Sequence, residues 1–459
     1  MPSGVLADSN VLLVTIDTLR ADHVGAYGSP KGLTPTVDEF AREGLRFERT
    51  YAHVPLTLPS HATIMTGKYP LHNGVRDNGT FRLAPRAATL ASALESDGYR
   101  TAAFVGSFVL DARFGLDSGF DSYDDRMLGS GSELEPVERR AEQVLVPAYE
   151  WIAGGSPDHG RGKWFVWVHL YDPHEPYDPP EPYRSRYSAA PYEGEVAYAD
   201  ASLGAFLNRL RTAGALDHTL VVIASDHGES LGEHGERTHG LFAYDATLRV
   251  PLIFWAQGII RPAVYPEMTR LVDVAPTILD LVGKATLAGA DGRSIRASVA
   301  GESTFEDQGS YFEALNASFA RNWAPLTGLV RGRRKLVDLP IPELFDLAAD
   351  PGEQHNVYAR QPDLAHDLER RLDAIAKTGS APGASQRSID ADAEARLRAL
   401  GYVAGSSSNP SRKYTVADDP KRLVQLNVAL DEAVDLWSRG DARGAIDRLQ
   451  EAIATRPDL

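Results

Sequence analysis

Three short apolar runs, each followed at once by acidic or histidine residues, constrain the fold of this chain more than any other feature. They span residues 11–16, 164–170 and 219–224. Helical spacing of apolar residues occurs at 35–43, 87–96 and 196–210. Short buried strands that alternate with helices predict an α/β fold: a doubly wound, mostly parallel sheet with helices on both faces.

The polar residues that follow these runs are candidates for a single site. Asp17 follows the first run, Asp172 and His174 follow the second, and Asp226 and His227 follow the third. Because ligands bind beyond the carboxyl ends of parallel strands, we expect these residues to converge. Two carboxylates and an imidazole, from Asp17, Asp226 and His227, suit zinc, manganese or a similar divalent ion.

The segment TLPSHATIMTGKYP predicts a short helix that starts near Pro59 and ends at Gly67. Thr57 then lies at the helix N-terminus, where free backbone N–H groups favour an alkoxide and a bound oxyanion. Coordination to a divalent metal would activate its hydroxyl as a nucleophile. The alternative interpretation is that Thr57 is only a helix cap.

Composition excludes several classes of function. Acidic residues outnumber basic ones by 63 to 47, which argues against a nucleic-acid partner. The absence of cysteine excludes disulfides, thiolate metal sites and a cysteine nucleophile. No apolar run approaches the length of about 20 residues that a membrane-spanning helix needs. The start of the chain lacks the basic and then apolar segments of a signal peptide. We therefore expect a cytoplasmic protein, or a periplasmic or extracellular one whose leader has been removed.

Seven motifs occur in a fixed order: IDTLRAD, TLPSHATIMTGKYP, VHLYDPHEPY, SDHGESLGEHG, LRVPLI, DVAPTILDLVG and ELFDLAADPGEQHN. Over residues 10–357 this order resembles the sulfatase branch of the alkaline phosphatase superfamily. The resemblance implies a metal-dependent ester hydrolase. It also implies a doubly wound α/β domain with a smaller C-terminal α/β subdomain.

The chain departs from that branch at the nucleophile. Sulfatases carry a Cys or Ser, oxidised to formylglycine, where this chain has Thr57, and an Arg where it has His61. Related phosphodiesterases and nucleotide pyrophosphatases use an unmodified Thr on a metal and carry an Asn at the position of Asn78. By this resemblance Asn78 would donate to an oxygen of the transition state; alternatively it is a turn residue. Thr18 stands where sulfatases carry a second acid after Asp17, which favours zinc or manganese over calcium or magnesium.

A second metal ion is also implied, held by Asp172, His174 and His239. Alternatively, His174 and His239 contact the ester, and Asp172 forms a turn. Arg76 is a candidate contact for an anionic substrate. Glu229, Glu233 and His234 are expected to orient the metal ligands without binding the ion themselves.

Four parts of the chain are predicted. They are a hydrolase core at 1–300, a subdomain at 301–377 with short strands at 309–313, 326–330 and 335–339, a linker at 378–418 with a helix at 389–400, and a helical pair at 419–459. The pair resembles a tetratricopeptide repeat. One such repeat cannot bury its own face, so either the chain continues or the pair packs on the main domain. The linker predicts that removing the pair leaves turnover of a small ester unchanged.

The sequence therefore predicts hydrolysis of a phosphate mono- or diester through a covalent phosphothreonine at Thr57, with one or two divalent metal ions as cofactors. The alternatives are sulfuric ester hydrolysis, transfer of the phospho group to another acceptor, and an inactive scaffold acting through the helical repeat. The expected partners are a small anionic ester and a protein bound by that repeat.

Overall fold

The computed structural model describes residues 1–79, 81–127, 138–154, 162–302, 307–379, 397 and 413–456. Its strands are β1 (Asn10–Ile16), β2 (Leu45–Tyr51), β3 (Arg100–Val105), β4 (Ser122–Asp124), β5 (Trp164–Leu170), β6 (Thr219–Ser225), β7 (Arg249–Val250), β8 (Leu252–Trp255), β9 (Ala263–Arg270), β10 (Ser310–Ala314), β11 (Leu326–Arg331), β12 (Arg334–Asp338) and β13 (Glu343–Asp346). Its α-helices are α1 (Pro35–Glu43), α2 (Thr57–Thr66), α3 (Pro70–Asn73), α4 (Leu90–Ser96), α5 (Ala141–Ala153), α6 (Tyr183–Arg186), α7 (Pro191–Thr212), α8 (Asp245–Leu248), α9 (Val274–Leu281), α10 (Arg296–Val299), α11 (Asn316–Arg321), α12 (Pro362–Ala376), α13 (Pro420–Ser438) and α14 (Ala442–Thr455).

The main sheet has the order β4-β3-β5-β1-β6-β8-β2-β7, and β9 pairs with β2. Strands β4, β3, β5, β1 and β6 are parallel, whereas β8 runs antiparallel to β6 and β2. Separate apolar cores cover its two faces. The predicted α/β class, with a mostly parallel sheet covered on both sides, is confirmed.

The register of the three predicted strands brings their carboxyl ends together. Ile16, the last residue of β1, pairs with Leu170 of β5 and with Ser225 of β6. Asp17 and Asp226 therefore leave the same edge of the sheet from adjacent strands. Because the strands are parallel and end at the same level, residues that follow them become neighbours although they are far apart in the chain.

The second sheet is antiparallel and smaller, with the order β10-β11-β12-β13. Helix α12 packs on it, since Leu368 and Leu372 share a core with Leu329, Leu336 and Leu344. The predicted strands at 309–313, 326–330 and 335–339 are observed, within a residue or so, as β10, β11 and β12. Strand β13 was not predicted.

Helices α13 and α14 pack on the main domain. Leu423 and Leu426 of α13 join its larger core, and Asp419 Oδ2 accepts a hydrogen bond from Ile341 N–H at 2.8 Å. Of the two alternatives for this pair, packing on the main domain is the one that the structure shows, because apolar burial favours docking over separation. The predicted helix at 389–400 lies outside the described residues except for Leu397. None of the described helices has both the length and the apolarity that crossing a membrane requires.

Candidate active site

Thr57 begins α2, a helix whose ten residues are all buried and which ends where Gly67 takes a left-handed conformation (φ 63°). The Thr57 oxygen Oγ1 lies 3.3 Å from Asp17 Oδ2 and 3.5 Å from His227 Nε2. Leu56, not Thr57, occupies the N-cap position. The hydroxyl therefore faces the predicted metal ligands instead of capping its own helix.

Asp17, Asp226 and His227 bring their ligand atoms together beyond the sheet edge. His227 Nε2 lies 3.4 Å from Asp17 Oδ1 and 3.6 Å from Asp226 Oδ2. Ligands about 2.0–2.2 Å from a tetrahedral zinc ion lie about 3.3–3.6 Å from one another. Asp226 Oδ2 is buried without a hydrogen-bond partner among the described residues, and such an atom costs about 1–3 kcal/mol. The residues fit a divalent cation, which would satisfy that oxygen.

Local hydrogen bonds orient two of these ligands. His227 Nδ1 lies 2.9 Å from the Gly228 carbonyl, so Nδ1–H donates there and the Nε2 lone pair faces the cluster. Asp226 Oδ1 accepts from His227 N–H at 2.8 Å, and the Ser60 hydroxyl donates to the Asp226 carbonyl at 2.6 Å. The loop after β6 and helix α2 are thereby joined at the site.

The electrostatics of the cluster favour a bound cation. Burial, together with the charge of Glu229, raises the pKa of Asp17 well above its ordinary value. Burial and the charge of Asp17 do the same to the pKa of Asp226. Burial lowers the pKa of His227 well below its ordinary value, which keeps the imidazole neutral and able to bind a metal. A divalent cation would stabilise both carboxylates in their charged form.

Asn78 lies beside Thr57, with one half of its amide group fixed. Its Oδ1 accepts from Leu58 N–H, directly after Thr57, at 2.9 Å. Its Nδ2 is buried and has no partner among the described residues. The amide therefore has a donor to offer next to Thr57. Arg76 is engaged differently, because its guanidinium binds both carboxylate oxygens of buried Glu313, at 2.9 and 2.6 Å.

His174 and His239 both reach the site. Their ring centroids are 4.9 Å apart, and that of His239 is 4.7 Å from that of His227. His239 Nδ1 lies 2.9 Å from Glu229 Oε1, and His174 Nδ1 lies 2.8 Å from the Tyr171 hydroxyl. Burial lowers the pKa of His239 to about 4, so this imidazole is neutral near pH 7.

Asp172 is placed elsewhere. Its Oδ2 accepts from Ala141 N–H, the first residue of α5, at 2.9 Å, where a carboxylate also complements the helix dipole. Across the described parts of the chain, two groups bring three ligand atoms within 4.8 Å of one another: Asp17, Asp226 and His227, and His61, His169 and Asp226. The set of Asp172, His174 and His239 is not one of them. Asp172 therefore binds the start of α5 through Oδ2, and its role as a metal ligand stays a prediction.

Sequence analysis missed His169 and treated His61 only as a departure from a motif. His169 Nε2 lies 3.4 Å from Asp17 Oδ2, and His61 Nδ1 lies 3.6 Å from Asp226 Oδ2. The signal for His169 is an imidazole in β5, whose seven residues are otherwise apolar and are all buried.

Two loops frame the site. Arg20 pairs with Asp22 at 2.8 Å and with Glu233 at 2.7 Å, and donates to the Glu229 carbonyl at 3.0 Å. Thr18 holds a left-handed conformation (φ 52°) directly after Asp17, which is strained for a β-branched residue and typical of functional sites. Arg20 thus ties the loop after β1 to the loop after β6. His234 lies apart from the ligands and stacks on Tyr244 at 3.6 Å.

Helix α13 packs against the loop that carries His239. Arg237 pairs with Asp435 of α13 at 3.3 Å, and a methyl group added at Gly235 would lie 3.2 Å from Val424. The C-terminal helices therefore support the outer side of this loop. Thr57 and the candidate ligands Asp17, Asp226 and His227 are fully buried beneath the surface.

Two family sequence models match the chain. The one described as Sulfatase matches residues 9–284, and the one described as N-sulphoglucosamine sulphohydrolase, C-terminal, matches residues 232–378.

Individual relatives match most of the chain at low identity. Arylsulfatase A of Bos taurus is 25% identical over 433 residues, covering 78% of this chain and 85% of that protein. Delta 4,5-hexuronate-2-O-sulfatase of Bacteroides thetaiotaomicron is 24% identical, covering 85% of this chain and 92% of that protein. The crystal structure of the phosphonate monoester hydrolase of Agrobacterium radiobacter has a TM-score of 0.67 at 21% identity, covering 83% of this chain and all of that one. This last likeness concerns the fold alone.

Proposed function

This chain belongs to the sulfatase family, and we propose that it is a metal-dependent hydrolase of sulfuric or phosphoric esters with Thr57 as its nucleophile. The observation that carries the proposal is the contact of Thr57 Oγ1 with Asp17 and His227. A hydroxyl in that position can attack the sulfur or phosphorus of an ester. The N–H groups that begin α2 stabilise the oxyanion.

Asp17, Thr57, Asp226 and His227 would hold the divalent cation. When bound, it acidifies the hydroxyl and offsets the negative charge of the ester. A donor set of carboxylate oxygens and one imidazole favours zinc or manganese. Magnesium and calcium prefer oxygen ligands alone, so His227 argues against them.

The first half-reaction follows from the residues around Thr57. Thr57 Oγ1 bonds to the central atom, and the bond from that atom to the leaving-group oxygen breaks. The hydroxyl proton passes to Asp17 Oδ2, 3.3 Å away. Asn78 Nδ2 donates to a non-bridging oxygen as negative charge builds there. The product is an ester of Thr57 with the departing acid group.

The second half-reaction needs a base for water. His239 donates its Nδ1–H to Glu229, which leaves Nε2 as the atom that accepts a proton. Water attacks the central atom of the Thr57 ester, His239 takes the proton from water, and the Thr57 oxygen regains its own proton. His174, fixed by Tyr171, faces His239 and completes the polar wall that orients the substrate.

The named relatives support sulfuric esters as substrates better than phosphoric esters, which the sequence analysis put first. One specific observation keeps phosphoric esters as a second candidate. Thr57 has no second hydroxyl with which to expel sulfate, whereas a phosphothreonine can be opened by water attacking phosphorus. We therefore treat both as substrate classes to be compared on one enzyme.

The test uses three esters with the same leaving group: 4-nitrophenyl sulfate, 4-nitrophenyl phosphate and bis(4-nitrophenyl) phosphate. Wild type loaded with zinc or manganese should turn over at least one of them. Faster turnover of the sulfate supports the sulfuric ester class, and faster turnover of either phosphate supports the other class. Absence of turnover for all three, with metal bound and the fold intact, would reject the proposal.

A further inference from the structure

His61 and His169 form a second group of metal-ligating atoms that the mechanism above does not use. His61 lies on α2, one turn after Thr57, and His169 lies on β5, where it pairs with Thr15 of β1. Their rings meet edge to face with centroids 4.8 Å apart. Both side chains are fully buried, so neither imidazole depends on bulk water for its partners.

Within the described parts of the chain, three buried polar atoms of this group lack the hydrogen-bond partners that such atoms normally have. Neither ring nitrogen of His169 has a hydrogen-bond partner among the described residues, and the same holds for Asp226 Oδ2. Buried polar atoms are nearly always satisfied, and a bound water or ion is one common reason for an exception. Three such atoms, on two facing side chains, therefore point to something bound between them.

The atoms of the group lie close enough together to share one divalent cation. The ligand atoms of His61, His169 and Asp226 lie within 4.8 Å of one another. Asp226 Oδ2 is 3.6 Å from His61 Nδ1, and His169 Nε2 is 3.4 Å from Asp17 Oδ2. These values approach the separation of about 3.3–3.6 Å between two ligands on one tetrahedral ion.

We propose that His61, His169 and Asp226 hold a second divalent cation, which shares Asp226 with the ion of the Asp17, Asp226 and His227 site. Asp17 Oδ2 lies at the edge of the new site, 3.4 Å from His169 Nε2. Two imidazoles with carboxylate oxygens suit zinc, cobalt or manganese and disfavour calcium and magnesium. A second ion would also offset the negative charge of the Asp17 and Asp226 carboxylates, which lie close together.

Binding requires one change in His61. Its Nδ1 now lies 2.8 Å from the Thr57 carbonyl and its Nε2 lies 2.9 Å from Thr15 Oγ1. To bind a cation through Nδ1, the ring must carry its proton on Nε2. Nε2–H then donates a hydrogen bond to Thr15 Oγ1. Thr15 Oγ1 also accepts from Trp167 Nε1 at 3.0 Å, so a fixed hydrogen-bond chain would hold the imidazole in place.

The experiment counts ions on the full chain. Protein stripped by a chelator is titrated with zinc, bound metal is measured by mass spectrometry after gel filtration, and the cobalt form is followed by its visible absorption. We expect two ions per wild-type chain, one per chain in His169→Ala, and two in His355→Ala, whose imidazole is exposed. His169→Asn serves as a second variant should the alanine protein unfold.

The second cation site shares Asp226 with the site of the proposed function, on which it rests. The metal count tests it independently of ester turnover. Two ions in wild type and one in His169→Ala support it even if no ester is turned over. One ion in an active wild type, or two ions retained in both His169 variants, would overturn it. Two ions in His169→Ala but one in His239→Ala would place the second ion at His239 and reject the site proposed here.

Discussion

Asn78 Oδ1 accepts a hydrogen bond from Leu58 N–H at 2.9 Å, and this contact fixes the amide group beside the first turn of α2, where Thr57 lies. The carbonyl oxygen holds the side chain on the first turn of α2. The buried Nδ2, without a partner among the described residues, is then the donor available to a substrate. One residue thus both braces the helix start and offers a hydrogen bond beside Thr57.

Substitution of Asn78 separates these two roles. Asn78→Asp keeps an oxygen for Leu58 N–H but removes the amide donor, so we expect kcat to fall about 10²-fold, as for other oxyanion donors, with little change in Tm. Asn78→Ala should lose both the donor and the brace, and should lower Tm as well. If Asn78→Asp retains wild-type kcat, Asn78 acts only as a structural residue.

Thr57 should carry a covalent adduct during turnover. Rapid acid quench of wild type with excess substrate, followed by mass spectrometry of the peptide that spans α2, should find one sulfuryl or phosphoryl group on Thr57. Thr57→Ser should keep part of the turnover, because the hydroxyl survives, whereas Thr57→Val preserves shape but not the hydroxyl and should be inactive. Comparable turnover by Thr57→Val would show that water attacks the ester directly.

Removal of metal should destabilise the fold, because an ion that binds the native state alone adds free energy of unfolding, about 2.7 kcal/mol at a hundredfold excess over Kd. Chelation should therefore lower the Tm of wild type, and zinc should restore it. His227→Ala should show a smaller response and lose turnover, while the exposed control His355→Ala should behave as wild type. A Tm unaffected by chelation, in protein shown to contain metal beforehand, would contradict this expectation.

Removing residues 420–459 should now lower both Tm and kcat, contrary to the expectation from the linker. Leu423 and Leu426 join the main core, and Asp435 pairs with Arg237 on the loop that carries His239. The matched control Asp435→Asn weakens a partly exposed ion pair with Arg237, worth about 0–1 kcal/mol. It should stay close to wild type. A truncated protein with wild-type Tm and kcat would show that the helices are dispensable.

The raised pKa of the buried Glu236 carboxyl group should make the stability of the fold depend on pH. Burial raises its pKa to about 8, although Leu241 N–H and Phe242 N–H both donate to it. From its ordinary value of 4.5 up to about 8, the unfolded chain releases this proton while the folded chain keeps it. The contribution to the free energy of unfolding therefore falls as pH rises through that window, on the order of 1 kcal/mol per pH unit.

The variant Glu236→Gln keeps an oxygen for both N–H groups and cannot ionise. Urea unfolding of wild type and variant at pH 5, 6, 7 and 8 should show a stability difference that grows with pH in favour of the variant. Curves that stay parallel over this range would mean that Glu236 titrates near its ordinary pKa in the folded protein.

Much of the fold and of the site can be predicted from the sequence alone. Residues 11–16 and 219–224 are apolar runs ending in ligand residues, and the rule that ligands bind at the carboxyl ends of parallel strands places Asp17 and Asp226 together. The structure shows the α/β fold and brings Thr57 to them. These assignments depend on local pattern and on one general rule of topology, and both are readable in a single sequence.

The tertiary structure alone decided what depends on packing between distant segments. His169 looks like one more residue of a buried strand, and only the register of β5 with β1 places its imidazole against Asp17. Asp172, equally close to a strand end, turns to Ala141 N–H because α5 starts there. Side-chain direction and helix docking are set by contacts between residues far apart in the chain, and no local pattern encodes such contacts.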